Sequence, residues 1–448
     1  MIEYALFHNG GADMSYKRGP SGYYYPDGTL DDVHASAQRG IVSALRQAQL
    51  ADELGYQYFF QTEHHFQVEG AERNSAVMPI QGAIAALTRQ IRIGQLAVVL
   101  PTWHPIRVAE HIGTLDVLSG GRVEFGIARG YQGREAETLG QAQGSTIQDQ
   151  ELNRAYFEEC YDIIMKAWAE NSISHHGEFF TLPPSWTKWT NEQTQAYFAD
   201  PATKYDLENV LSITPDATTL REVSVMPQPI QSPHPQVWMG ATSSRSVDWS
   251  VSKGANIYLL ADPPASAKAR VDTYMEASER YGWPDLLDRG PHKYGWDSER
   301  KRGVVVGRAI YCDAKGVGSR ERIKMSINAE FSFYAGNGFG FLCNDENGNP
   351  PATGEYFEGY VRNGLAYVGS NEQIAASIVG LRDHCGYEED MCIGVWFERP
   401  GLSHNEVEDQ MRNFAENVMP ILDREFGGTK VNPVVDPSAV PGTGWNRA

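Results

Sequence analysis

The chain has 448 residues, 41% of them hydrophobic, which is enough for a substantial core. It has no apolar run of the roughly 18 residues that a membrane-crossing helix needs. Lys and Arg number 38 against 57 Asp and Glu, a formal net charge of −19 that argues against a nucleic-acid or anionic-membrane partner and otherwise serves solubility.

The predicted elements alternate strand and helix. Glu3–His8 is β1, and the opening MIEYALFHNG, with neither a basic nor a long apolar stretch, is read as that strand and not as a signal peptide. A Gly- and Tyr-rich loop from Asn9 to Asp32 follows, then an amphipathic helix over Gln38–Leu54 that stops at Gly55. Next come β2 (Tyr56–Thr62), a helix over Ser75–Thr88 with Asn74 as a candidate N-cap, β3 (Ile91–Leu100) and a helix over Pro105–Leu118. After β4 (Arg122–Ala128) a long helix covers Gln148–Glu170. The stretch Gly177–Pro235, rich in Pro, Thr, Trp and Gln, has no sustained period and is expected to cover one end of the sheet.

The rhythm then resumes with β5 (Gln236–Gly240), a helix over Ser244–Lys253, β6 (Ala255–Ala261), a helix over Ala265–Tyr281 and β7 (Gly303–Tyr311). A helix near Ser319–Tyr334 precedes a Gly- and Asn-rich segment, Gly336–Gly364, expected to be a mobile lid. Asn371–His384, β8 (Met391–Phe397) and His404–Phe426 complete the chain, with 427–448 as a tail. The expected fold is α/β: one (β/α)8 TIM barrel over 1–426 with long insertions near 177–235 and 336–364, at the C-terminal face of the strands.

Chemistry-bearing residues gather at the strand ends, where such a barrel keeps its active site. Glu63-His64-His65 closes β2, and a histidine there suits proton transfer near neutral pH, although a solvated, locally bonded histidine is the plain alternative. Arg129 follows β4 and precedes Gly130; it reads as a phosphate clamp or as an ordinary ion pair. Thr242, Ser243 and Ser246 open the helix after β5, as an anion site or as simple capping, with Arg245 an added cation. His8, Trp396 or Phe397 are candidates to line the substrate side, and His104 and Glu398 are weaker ones. The aromatic residues of the insertion (Trp186, Trp189, Tyr197, Phe198) hint at an apolar or bulky substrate. Five scattered cysteines without a CxxC pair read as reduced thiols of a cytoplasmic protein, and neither histidine pair, His64-His65 or His175-His176, has metal-ligand spacing, so no metal is expected.

Four phrases in register, EHHF, IRIG, LPTWHPIR and LSGGRVEFGIARG, resemble the bacterial luciferase-like flavin monooxygenases. The likeness resumes at PQVWMGATSSRSVDWSVSKGA, YVGSNEQIAASIVGLRDHCGY and MCIGVWFERPG, and fails over about 183–233, around 263–301 and after Gly427. The count of eight βα units owes part of its support to this resemblance; periodicity alone gives six.

The resemblance implies a catalytic role for His64, with Glu63 also at the flavin and His65 behind it. It implies a non-proline cis peptide at Leu96-Ala97 beneath the flavin ring, and an FMN phosphate held by Arg129, Thr242, Ser243 and Ser246. Ala128 stands where the luciferase flavin subunit has a reactive cysteine. The implied activity uses reduced FMN as co-substrate with O2, through a flavin peroxide, to oxygenate a small organic substrate. No G-x-G-x-x-G follows a strand, so a separate flavin reductase is the expected partner. The alternatives are a deazaflavin-dependent oxidoreductase doing hydride transfer, or a non-catalytic flavin-binding subunit. A homodimer is expected on Ser75–Thr88 and Pro105–Leu118, through Ala76, Ile80, Ala83, Ile84, Ile106, Ala109, Ile112 and Leu115.

Overall fold

A computed structural model describes residues 1–70, 72–140, 146–200, 209–214, 216–232, 234–281, 303–386 and 391–434. The last part of the expected tail, 435–448, and most of the divergent stretch near 263–301 lie outside the described residues. The chain divides into two compact units, one of Met1–Val98, Leu118–Ala128 and Gln236–Ala448, the other of Val99–Val117 and Arg129–Pro235.

The first unit holds the barrel. Its strands are β1 (Ile2–His8), β2 (Tyr58–Gln61), β3 (Arg92–Gln95), β4 (Val123–Ala128), β5 (Gln236–Gly240), β6 (Asn256–Leu259), β7 (Val304–Cys312) and β8 (Met391–Trp396). Each pairs in parallel with the next, and β8 closes on β1 with Ile2 opposite Met391. This is the expected TIM barrel.

Side-chain alternation fills its interior. Phe7, Tyr58, Phe60, Trp238, Tyr258 and Trp396 form one buried cluster with Ala5, Leu96 and Val305. Glycines on facing strands leave room for the rings. A Cβ on Gly94 would lie 2.2 Å from the Phe60 ring, and one on Gly394 would lie 2.1 Å from the Tyr258 hydroxyl. Glu124, fully buried, accepts from Trp238 Nε1 at 2.5 Å and pairs with Arg92.

Several sequence expectations need correction. Helix α1 spans Leu30–Glu53 and starts eight residues before Gln38. The cause is a capping box that the period did not reveal: Thr29 Oγ1 accepts from Asp32 N, and Asp32 Oδ2 accepts from Thr29 N at 2.8 Å. The loop before it carries a small hairpin, Tyr16–Arg18 against Tyr24–Pro26. Helix α2 spans Val77–Leu87 with Ala76, not Asn74, at its N-cap; the Asn74 amide is turned to His8 instead. Helix α3 spans Pro105–Ser119.

The segment 336–364 carries secondary structure of its own. It contains a 3-10 turn, Gly340–Cys343, and a helix, Phe357–Arg362. Asn328, on the preceding helix Arg320–Gly336, accepts the Tyr356 and Phe357 N–H groups at 2.8 and 2.9 Å. A strand missed from the sequence, Ala366–Gly369, then pairs with β7 outside the barrel. The tail begins as a partner of β1, with Lys430 N donating to Ile2 O at 3.0 Å.

The second unit contains most of α3, a short helix Gly133–Leu139 that the sequence reading missed, and the long helix Gln150–Ala169, capped by Asp149. Lys188–Trp189, Thr218–Leu220 and Leu211–Ile213 form a three-stranded antiparallel sheet. His175 belongs to a hairpin, His175–His176 against Thr181–Leu182, and its Nε2 lies 2.9 Å from Glu159. Glu159 also accepts the N–H groups of Glu178, Phe179 and Phe180, so this His and Glu pair pins a turn.

Candidate active site

The C-terminal ends of β1, β2 and β3 form a continuous rim. Thr62 N donates to His8 O at 3.2 Å, and Leu96 N donates to Gln61 O at 2.6 Å. Glu63, His64 and His65 leave β2 at this rim. Glu63 is buried, whereas the two imidazoles are partly exposed. His65 Nε2 lies 3.1 Å from Glu63 Oε1, and the His64 main-chain N–H donates to Asn74 O at 2.7 Å. Phe66 follows with a left-handed backbone, φ 63°, and a half-exposed ring, a conformation that bulky residues seldom hold without a reason. The Leu96-Ala97 peptide, at the end of β3, is cis.

Below His64 lies a set of buried charges that the sequence reading did not assemble. His64 Nε2 is 3.5 Å from Glu72 Oε1. The same oxygen accepts from the Tyr334 hydroxyl at 2.7 Å and from Asn9 Nδ2 at 3.4 Å, while Gln67 Nε2 donates to the other oxygen at 2.9 Å. Asn9 N donates to Glu398 Oε2 at 2.6 Å. Glu330 and Arg399, both buried, form an ion pair at 3.2 Å, and the Arg399 guanidinium lies 3.6 Å over the Trp396 ring. Burial pushes the Glu330 and Glu398 carboxyls up to about 7, against the pull of Arg399.

His8 is fully buried, not substrate-lining. Gly10 N and Asn74 Nδ2 both approach its Nδ1, which leaves the ring hydrogen on Nε2, 3.1 Å from Glu398 Oε1. Burial holds this imidazole down at about 3, hence neutral. Trp396 is core, and Phe397 packs against Tyr56 and Phe414. These strand-end aromatics fill space because the barrel needs their volume.

After β5, Ser243 caps the helix Ser244–Ser252 through a capping box. Ser246 N donates to Ser243 Oγ at 3.2 Å, and Ser243 N donates to Ser246 Oγ at 3.0 Å. Ser246 is buried by this arrangement, whereas Thr242, Ser243, Ser244 and Arg245 remain exposed. Arg129, in the second unit, has Gln150 Oε1 at 3.3 Å and Asn153 Oδ1 at 3.4 Å as acceptors, and Gly130 beside it takes φ 78°. His104, also in that unit, sets its ring edge-on to Phe180. Among the described residues, no group of three or more His, Cys, Asp or Glu could hold a metal ion, and no helix is long and apolar enough to cross a membrane.

Glu72, Tyr334, Glu330 and Arg399 are the residues that sequence reasoning missed. They come from chain segments far apart, and no local spacing marks them.

A family model for luciferase-like monooxygenases matches residues 22–201. The oxygenase component of a flavin-dependent trigonelline monooxygenase of Acinetobacter baylyi is 25% identical over 213 residues, 47% of this chain and 45% of that one. An FMNH2-dependent dimethylsulfone monooxygenase of Pseudomonas putida is 21% identical over 392 residues, 84% of this chain and 86% of that one. The chain spans 59%, 52% and 45% of the length of the first three curated relatives that it matches. The fold is also that of the monooxygenase RslO1 from Streptomyces bottropensis, with a TM-score of 0.65 at 18% identity, covering 94% of this chain and 99% of that one. The matched segment carries the EHHF rim and Arg129, and over it the chain is similar to the luciferase-like monooxygenases.

Proposed function

We propose that this chain is the oxygenase component of a flavin-dependent monooxygenase that uses reduced FMN and O2 to oxygenate a small organic substrate, with the reduced flavin supplied by a separate reductase. The observation that carries the reading is the Glu63-His64 rim, seated over a buried carboxylate network at the end of a TIM barrel where active sites of this fold lie. The relatives named for FMNH2 and for an oxygenase component support the cofactor and the partner.

The residues present fit the flavin. The end of the helix Ser244–Ser252 spends its serine hydroxyls on its own capping box, yet its first residues and Arg245 face outward; main-chain N–H groups and a cation are what a phosphate takes at a helix N-terminus. In this reading Arg129, Thr242, Ser243 and Ser246 serve the phosphate, while Glu63, Leu96 and Ala97 serve the ring. Bound reduced flavin would supply the electrons that activate O2. His64 holds or releases a proton at Nε2, and the barrel end limits water at the rim.

His64→Ala should keep fold and flavin binding and lose at least about tenfold in product formed per flavin oxidised. The check is to mix reduced FMN with the protein anaerobically, admit O2 and compare peroxide released with product. Coupling at the wild-type level in the variant would sink the role of His64. The absorbance of the bound cofactor separates this reading from deazaflavin hydride transfer.

The assembly expectation narrows. Ile80, Ile84, Ala109, Ile112 and Leu115 are buried within the chain and have no surface left for a partner; the extra apolar residues serve the core. On α2, however, Ala76, Pro79, Ala83, Ala86 and Leu87 form an exposed face without a charge. We expect a homodimer sealed on that face, seen by light scattering, with Leu87→Asp shifting it to monomer. A wild-type monomer at micromolar concentration refutes it, as does an undisturbed Leu87→Asp dimer.

A further inference from the structure

Glu72, Tyr334, Glu330, Glu398 and Arg399 are not among the residues assigned to the flavin, and they form one buried polar cluster near His64. Glu72 is 5% exposed and receives donors on both oxygens: Tyr334 and Asn9 on Oε1, Gln67 on Oε2. Such bracing from a helix, a strand end and its own loop fixes the direction of the carboxylate. Its Oε1 faces His64 Nε2 at 3.5 Å, and the main-chain bond from His64 N to Asn74 O fixes the histidine from behind.

Charge makes the arrangement more telling. Three buried carboxylates, Glu72, Glu330 and Glu398, share this region with one buried guanidinium, Arg399, which pairs with Glu330. Around them are the neutral His8, the hydroxyls of Tyr334, Tyr16 and Tyr360, and His404, which pairs at 3.4 Å with Asp13, itself held by the surface residue Arg39 at 2.6 Å. Full ionisation would leave uncompensated negative charge in a dry site, so the cluster retains a proton near neutral pH.

We propose that Glu72 is the positioning residue of His64, orienting its imidazole through Nε2 and exchanging a proton with it, with Tyr334 and Gln67 fixing the carboxylate. The proposal rests on the reading of His64 as the proton-handling group. In the exchange, the His64 Nε2–H bond breaks as an O–H bond forms on Glu72 Oε1. The imidazolium and carboxylate become a neutral pair, and the reverse step restores both. The gap must close by about half an ångström to reach hydrogen-bond length.

The test is a histidine-selective NMR titration of the whole protein without added flavin, with His64 assigned by its loss in His64→Ala. Removing a facing carboxylate charge in Glu72→Gln should lower the His64 midpoint by about one pH unit or more, and Glu72→Asp should give a smaller drop. Both variants should reduce coupled oxygenation, Gln more than Asp, with a changed pH profile at unchanged flavin affinity. A His64 midpoint that stays at the wild-type value in folded Glu72→Gln overturns the proposal. Should that variant not fold, an unmoved midpoint in Glu72→Asp does the same. If instead the midpoint moves while His64→Ala couples like wild type, the positioning stands and the catalytic reading of His64 fails.

Discussion

Replacing Arg122 with methionine is expected to cost about 3–5 kcal/mol of stability, read as a large fall in the urea midpoint. Arg122 is 2% exposed and its guanidinium is fully employed. Nε donates to Ser119 O at 2.7 Å, Nη1 to Thr88 Oγ1 at 2.8 Å and Ile91 O at 3.0 Å, and Nη2 to Ala85 O at 2.8 Å and Thr88 O at 3.1 Å. One side chain therefore satisfies four main-chain carbonyls at the end of α2, the entry to β3 and the end of α3. Methionine fills similar volume but donates nothing, and each orphaned buried acceptor costs roughly 1–3 kcal/mol. Burial lowers the guanidinium to about 10, still cationic at neutral pH. A midpoint within about 1 kcal/mol of wild type would show that water satisfies those carbonyls instead.

Arg129→Ala is expected to weaken reduced-FMN binding by roughly 2–5 kcal/mol, about 30-fold to several thousand-fold, because the phosphate loses a charged partner. The fold should survive, since the Arg129 side chain is only partly buried and its acceptors Gln150 and Asn153 lie on a helix that Asp149 caps independently. Anaerobic fluorescence titration with reduced FMN measures the effect. Unchanged affinity removes Arg129 from the phosphate assignment, and the end of the helix Ser244–Ser252 would then have to carry it alone.

Much of the barrel is legible in the amino-acid sequence. Short apolar runs such as Tyr58–Gln61 and Met391–Trp396 announce buried parallel strands, because both faces of such a sheet are covered and most polar residues wait for the ends. The same logic brought Glu63, His64 and Arg129 forward as candidates. Elements that depend on a cap or on a distant partner were harder. Leu30–Ala37 has too few apolar residues to read as helix, and its start is fixed by Thr29 and Asp32. Ala366–Gly369 became a strand because β7 offered it an edge.

The sequence by itself determined the alternation of strands and helices, the family resemblance and the placing of the His64 rim at a strand end, since these follow from local pattern. Tertiary structure alone decided which polar residues meet. Asn74 left its expected cap for His8, and Glu72 found Tyr334 at 2.7 Å across more than half the chain. A buried carboxylate is tolerated only where donors converge on it, and that convergence is set by how helices pack around the barrel, which no local spacing encodes.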